Sequence, residues 1–69
     1  MEIRKGSKVH YTGDIANIEG DGEVVGVFEN ENLGKMVDVE LEDGREFKRV
    51  FANNFKQNSS SNYKFELIH

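Results

Sequence analysis

The fold of this chain is decided by the stretch Val37-Asp38-Val39-Glu40-Leu41-Glu42-Asp43-Gly44-Arg45-Glu46-Phe47-Lys48-Arg49-Val50. Apolar and charged residues alternate on both sides of the Asp43-Gly44 pair, and this pattern is typical of two β-strands joined by a tight turn. The stretch therefore predicts a β-hairpin with one apolar face.

Two registers are open to this hairpin, since a slip of one residue exchanges the faces of a strand. A two-residue turn would place Val39 opposite Lys48, whereas the three-residue loop Glu42-Asp43-Gly44 places Val39 opposite Phe47. The longer loop also pairs Leu41 with Arg45, Val37 with Arg49 and Asp38 with Lys48. We favour the longer loop because it buries Val39 against Phe47 and leaves an exterior ion pair worth about 0.2 to 1 kcal/mol. Gly44 is then expected at positive φ.

Three further strands are predicted from the alternation of apolar and polar residues. They are residues 8–12, with Val9 and Tyr11 on one face, residues 23–29, with a bulge, a bend or a close approach at Gly26, and a short closing strand at residues 63–67. The spacing of four between Phe51 and Phe55 predicts one helical turn that places both rings on the core.

The connecting segments are rich in turn-forming residues. Residues 14–22 hold Asp, Asn and two glycines around Ile15 and Ile18, so we expect a loop fixed by two apolar anchors, of a length that is often functional. Residues 30–35 form a turn. Residues 57–62 are polar and predict a flexible tract before the closing strand, which could pair with this chain or with a second copy in a homo-oligomer.

Length and composition limit what the chain can be. At 69 residues we expect one domain, which buries only about 60% of its unfolded surface and has no room for a large pocket. The chain has no cysteine, so disulfides and thiolate metal sites are excluded. No apolar run approaches the ~18 residues of a membrane span, and residues 1–6 lack the apolar segment of a signal peptide, so we expect a cytoplasmic protein with no membrane partner.

The net charge of -4 is unevenly distributed. Residues 11–43 carry a net -9, from ten carboxylates against Lys35 alone, while residues 1–10 carry +2 and residues 44–69 carry +3. Because proteins that bind duplexes present a basic surface, this distribution disfavours nucleic acid as the partner. A basic strip would require four cations to share a face. They are Lys8, Arg45, Lys48 and Arg49.

Four strands, a helical turn and a fifth strand, with a long loop after the first, is the element order of a small SH3-like barrel. Gly6-Ser7-Lys8-Val9, Gly20-Asp21-Gly22-Glu23-Val24 and residues 37–55 resemble the pattern of Tudor, KOW and related small barrels, over residues 5–55. The resemblance implies an all-β domain over residues 1–69. It would be a single five-stranded SH3-like barrel with one short helical turn near residues 51–55 and the polar tract at residues 57–62.

The chain departs from these families at their binding residues. Tudor domains that bind methylated side chains hold the cation in an aromatic cage, and only Tyr11 matches a cage position here. The loop that touches RNA in KOW barrels holds Glu19, Asp21 and Glu23 in this chain. The resemblance therefore implies the architecture more than either activity.

No catalytic or metal-binding set stands out in the sequence. Residues 17–22 resemble the start of a calcium loop, but the position of its bidentate glutamate holds Phe28. The serines at 59–61 have no histidine nearby in sequence to act as a base. We expect no cofactor, no metal and no enzymatic activity from one chain, although small barrels can build a shared active-site pore by oligomerising.

Two surfaces are predicted to bind a partner. The first is a groove that combines Tyr11, the loop at residues 14–22 and the turn at residues 30–35. Its candidate contact residues are Tyr11, Asp14, Asn17, Glu19 and Asp21. The second is the row Asp38, Glu40 and Glu42, spaced about 6.8 Å apart on one strand face. We expect a non-catalytic module that binds a protein partner. The alternatives are a nucleic-acid-associated barrel that uses the basic strip, and an acidic inhibitor that imitates nucleic acid on a basic protein.

Overall fold

A computed structural model describes residues 3–56 and 63–68 of the chain. These residues form one antiparallel sheet of five strands with a 3-10 turn, so the predicted all-β class is confirmed. The strands are β1 (Lys8–Tyr11), β2 (Gly20–Asn30), β3 (Gly34–Leu41), β4 (Glu46–Phe51) and β5 (Phe65–Ile68), and the 3-10 turn η1 (Ala52–Asn54) lies between β4 and β5. Within the described ranges, no helix is long and apolar enough to cross a membrane.

The strands follow the order β4-β3-β2-β1-β5, so β1 pairs with β5 as well as with β2. Val9 lies opposite Leu67, and Tyr11 lies opposite Phe65. Over the described residues β4 and β5 are the two edges, and the sheet is not closed between them into a barrel. The polar tract predicted at residues 57–62 lies outside the described residues.

One face of the sheet carries the core, as the alternation in the sequence predicted. The buried residues form one cluster: Ile3, Val9, Tyr11, Val24, Val37, Val39, Leu41, Phe55 and Phe65. Phe47 packs against this cluster and is half-buried. Its ring centroid lies 4.7 Å from that of Tyr11 and 5.5 Å from that of Phe65. Side chains of β4 and β5 are therefore in contact although their backbones are not paired.

The β3–β4 hairpin has the predicted three-residue loop. The Leu41 N–H donates to the Arg45 carbonyl at 2.8 Å, and Gly44 has the positive φ expected for it, 95°. Val39 lies opposite Phe47, which is also as predicted. The predicted pairs Val37–Arg49 and Asp38–Lys48 are wrong, because the register shifts beyond Val39 and places Val37 opposite Val50.

This shift is a β-bulge at Arg49, whose φ of 55° lies in the left-handed region. Asp38 supports the strained backbone, since its Oδ1 accepts the Arg49 backbone N–H at 2.8 Å and the guanidinium Nη1 at 3.1 Å. The guanidinium carbon lies 3.5 Å from the centroid of the Phe28 ring. A bulge beside charged residues interrupts the free edge of β4 and disfavours pairing with other chains.

The predicted bulge near Gly26 is confirmed by a register shift between Val24 and Gly26. The predicted burial of Phe51 is wrong: it is 40% exposed, whereas Phe55 is fully buried. A 3-10 turn has three residues per turn, so residues four apart do not share a face.

The predicted apolar anchors Ile15 and Ile18 are also exposed. Polar contacts to Asp14 and Arg45 fix their loop instead. The loop is shorter than predicted because β2 begins at Gly20.

Candidate functional site

An open groove of about 260 Å³ lies along the seam between the unpaired edges of β4 and β5. We call it the aromatic groove, because the rings of Tyr11, Phe47 and Phe65 line its base. The loop between β1 and β2 forms one side, and the end of β4 with η1 forms the other. Its other lining residues include Asp14, Asn17, Arg49, Phe51, Asn54 and Lys64.

The Asp14 carboxylate shapes the loop side of the aromatic groove. Its Oδ1 accepts the backbone N–H groups of Ala16 and Asn17, both at 2.8 Å, and its Oδ2 accepts the Tyr11 hydroxyl at 3.1 Å. The bond from Asn17, followed by those from Ala16 and Tyr11, lowers the pKa of Asp14. Burial, reinforced by the Asp14 contact, raises the pKa of Tyr11. A polar turn therefore holds this loop, which explains why its isoleucines are exposed.

Arg45 fastens the far end of the same loop to the β3–β4 hairpin. Its Nη1 donates to the Ile18 carbonyl at 2.8 Å, and its Nε donates to Asp43 Oδ2 at 2.8 Å. Its guanidinium carbon lies 5.8 Å from the centroid of the Tyr11 ring. The loop is thus held at both ends before any partner binds.

On the opposite face of the sheet, His10 lies between two carboxylates. Its Nδ1 is 2.7 Å from Asp21 Oδ1, and its Nε2 is 3.1 Å from Glu19 Oε2. The hydrogen bond to Asp21 is the main cause that raises the pKa of His10. Carboxylates only accept hydrogen bonds, so both contacts are made fully only by the protonated imidazolium.

The same outer face carries a second groove of about 330 Å³, which we call the acidic groove. Its charged lining residues are Lys8, Asp21, Glu23, Glu40 and Glu42. Glu40 lies directly opposite Glu23 on β2 and Glu46 on β4. Like charges in directly opposed positions destabilise a sheet. A cationic group bound here would relieve that repulsion.

The predicted partner-binding residues divide between the two grooves. Tyr11, Asp14 and Asn17 meet in the aromatic groove, whereas Glu19 and Asp21 lie on the outer face with His10. The turn at residues 30–35 contributes no lining residue to the aromatic groove.

The predicted acidic row is divided as well. The Asp38 side chain is only 14% exposed and is ion-paired with Arg49. Glu40 and Glu42 remain exposed and line the acidic groove. Carboxylates of β2 and β3 therefore form the acidic surface together, across the strands rather than along one of them.

The four cations of the predicted basic strip each have a carboxylate within 4.0 Å, and Lys8 on β1 is separated from β4 by β2 and β3. The pairs are Lys8–Glu23 at 3.7 Å, Arg45–Asp43 at 2.8 Å, Lys48–Glu46 at 3.5 Å and Arg49–Asp38 at 3.1 Å. The strip is therefore dispersed and largely neutralised.

No protein-family model matches this chain. Comparisons with curated proteins and with solved structures also found no match. In the part of the chain that the structure describes, no group of three or more His, Cys, Asp or Glu residues could hold a metal ion. The geometry of the two grooves is thus the basis for a functional proposal.

Sequence reasoning missed Phe51, Asn54 and Lys64 as residues of the aromatic groove. Lys64 joins it because the β1–β5 pairing places its carbonyl where it accepts hydrogen bonds from Thr12, and its N–H donates in turn to the Asn54 carbonyl at 2.8 Å. Phe51 joins it as the last residue of β4. The expected element order of an SH3-like barrel could have indicated Lys64, since a last strand that pairs with the first places residues 63–65 next to Tyr11.

Proposed function

We propose that this chain is a non-catalytic interaction module of SH3-like architecture that binds a protein partner through the aromatic groove. A 3-10 turn followed by a last strand that lies beside the first supports the SH3-like architecture. The observation that carries the proposal is the aromatic base of an open groove whose loop side is already fixed by Asp14 and Arg45. Such a preformed site loses little conformational entropy on binding.

An extended peptide is the form of partner that fits this groove. Apolar side chains would pack on the half-buried ring of Phe47 and on the Phe51 ring, which is 40% exposed, while Tyr11 and Phe65 support Phe47 from below at fixed positions. The side-chain amides of Asn17 and Asn54, on opposite sides, can donate to or accept from a peptide backbone. Alternation of side chains along an extended peptide lets it use both kinds of contact.

Site-specific photo-crosslinking tests the proposal. A benzophenone side chain at Phe51, on the rim of the aromatic groove, should crosslink a protein partner in extract from the native host. The same group at Glu40, in the acidic groove, is the matched control. The captured protein is then purified, and its affinity for the chain should fall with Phe51→Ala and stay unchanged with Glu40→Gln. Equal affinity for both variants and the wild type would contradict the proposal.

The acidic groove supports a second candidate, an acidic surface that occupies the nucleic-acid-binding site of a basic protein. Glu40 favours it, because it lies opposite Glu23 and Glu46 and, unlike them, has no cation within 4.0 Å among the described residues, so a basic partner would relieve the repulsion that it experiences. The test is Glu40→Gln with Glu42→Gln, since Asp38 supports the β4 backbone and its loss would disturb folding. Binding to a basic protein that survives this double substitution would remove the candidate.

A nucleic-acid-associated function remains a third proposal, with less support because each of the four cations has a carboxylate neighbour. Binding that weakens steeply with added salt would support it, and no retardation of DNA or RNA at low salt would exclude it. Homo-oligomerisation through residues 57–69 and a cytoplasmic location stay predictions of the sequence.

A further inference from the structure

The charges that line the aromatic groove are not equally available to a ligand. The Asp14 carboxylate is occupied by the N–H groups of Ala16 and Asn17 and by the Tyr11 hydroxyl. Internal contacts already satisfy this carboxylate at both oxygens. These donors are neutral, so Asp14 keeps its negative charge, but both of its oxygens are held on the loop side of the groove by contacts within the chain.

Arg49 is occupied in a similar way. Both oxygens of Asp38 accept from its Nη1 at 3.1 Å, and the guanidinium covers the Phe28 ring. This arrangement turns the charge toward the outer face of the sheet, where Asp38 neutralises it. Arg49 borders the aromatic groove but contributes little net charge to it.

Lys64 differs from both, because its side chain is exposed and has no ion-pair partner among the described residues. Its backbone is nevertheless fixed. The N–H donates to the Asn54 carbonyl at 2.8 Å, and the carbonyl accepts the Thr12 N–H at 2.9 Å. The ammonium is therefore carried on a flexible stem from a fixed point next to Phe65.

We infer that the aromatic groove selects a peptide that carries a carboxylate side chain beside an apolar side chain. The apolar group would pack on the accessible rings of Phe47 and Phe51, and the carboxylate would pair with Lys64. This inference rests on the proposed function and specifies the chemistry of its partner. The chain has a net charge of -4, and the acidic groove on its outer face would repel the same peptide. Charge complementarity with Lys64 would thus place the carboxylate of the peptide on the Lys64 side of the groove, away from Asp14.

Three capped peptides that differ at one position test the inference: each has a phenylalanine, and two residues later a glutamate, a glutamine or a lysine. Their affinities for the intact protein are measured by ¹H–¹⁵N NMR titration. We expect the glutamate peptide to bind roughly two- to fivefold more tightly than the glutamine peptide, the range of an exposed ion pair, and the lysine peptide to bind most weakly. Amide shifts should centre on Tyr11, Asn17, Asn54 and Lys64.

Lys64→Glu should reverse the order of the three peptides, and Lys64→Met should make the glutamate and glutamine peptides equal. Lys5→Glu makes the same charge change at an exposed turn residue outside the groove and should preserve the order. Equal affinities for the wild type, no binding of the glutamate peptide, or shifts centred on Glu23 and Glu40 would each overturn the inference. The crosslinking at Phe51 is independent of peptide charge, so a partner captured there would leave the proposed function standing.

Discussion

The carboxylate of Asp38 holds Arg49 at two points, the backbone N–H at 2.8 Å and the guanidinium at 3.1 Å. The backbone contact is the main cause that lowers the pKa of Asp38. Asp38→Ala should lower the urea midpoint more than Asp38→Asn, because the asparagine carbonyl can still accept the Arg49 N–H. Glu31→Ala, at an exposed turn residue, is the control and should leave the midpoint unchanged.

The same pair predicts part of the acid sensitivity of the fold. A lowered folded-state pKa means that ionised Asp38 stabilises the fold above its ordinary value of 3.8, and that this contribution is lost as the pH falls through the folded-state pKa. Denaturation at several pH values below neutral should show a shallower loss of stability in Asp38→Asn than in the wild type. Parallel curves for the two proteins would show that the Arg49 contact does not contribute.

Gly44→Ala should destabilise the protein by about 1 to 2 kcal/mol, because a φ of 95° is unfavourable for a residue with a Cβ. No atom lies within contact distance of the added methyl group, so conformational strain is the only expected cause. Glu42→Ala in the same loop is the control. Urea denaturation measures both, and an equal loss for the two variants would argue against strain at Gly44.

Substitutions at Phe65 and Phe51 should have different effects, the first mainly on stability and the second mainly on partner binding. Phe65 is 2% exposed and contacts three other rings, so Phe65→Ala should cost about 3 to 5 kcal/mol, enough to unfold a domain of this size. Phe51→Ala removes a partly exposed ring and should leave most of the stability intact while weakening partner binding. Circular dichroism during thermal unfolding measures the stability, and titration with the purified partner that crosslinking identified measures the affinity.

The contacts of His10 predict a pH dependence of stability that is opposite in sign to that of Asp38. Its raised folded-state pKa means that the imidazolium stabilises the fold fully below the unfolded value of 6.5, and that this contribution disappears as the pH rises through the folded-state pKa. The groups that face His10 are Glu19 and Asp21, which contact it, Glu66 on β5, and Lys8 on its own strand.

The difference in unfolding free energy between the wild type and His10→Gln should therefore be largest below pH 6.5 and shrink as the pH rises through the folded-state pKa of His10. Urea denaturation across this range measures it. An NMR titration of the His10 ring gives the folded-state pKa directly. A value at or below 6.5 would contradict the two-carboxylate geometry.

Glu40→Lys should stabilise the protein, since it replaces two like-charge pairs across the sheet by opposite-charge pairs, each worth about 0.2 to 1 kcal/mol. The gain should shrink at high salt, where exposed charges are screened. Glu31→Lys makes the same change in a turn without a strand partner. A similar gain from both variants would indicate an effect of net charge rather than of the opposed glutamates.

The sequence predicts the strands and the β3–β4 loop well because those depend on local patterns. Alternation gives the core face, and Asp43-Gly44 fixes the loop that places Gly44 at positive φ. The register beyond Val39 could not be predicted, because the bulge depends on an aspartate that stabilises a strained arginine across the strand pair. Neither residue favours that conformation by itself.

The candidate site is predicted only in part, for a related reason. Tyr11, Asp14 and Asn17 are close in sequence, so the composition of one loop is enough to predict that they act together. Lys64 and Phe65 reach the groove through pairing between segments that lie far apart in the chain. The predicted burial of Ile15 and Ile18 is wrong, because hydrogen bonds to Asp14, and not apolar contacts, determine the conformation of their loop.

The position of Phe65 has a consequence for biosynthesis. This ring touches Tyr11, Phe47 and Phe55, so the centre of the core remains incomplete until β5 is available to pair with β1. A nascent chain that has emerged only to residue 56 can form the β2–β3–β4 meander but leaves the apolar face of that meander exposed to water. A nascent chain therefore completes its core only after β5 has been synthesised and can pair with β1.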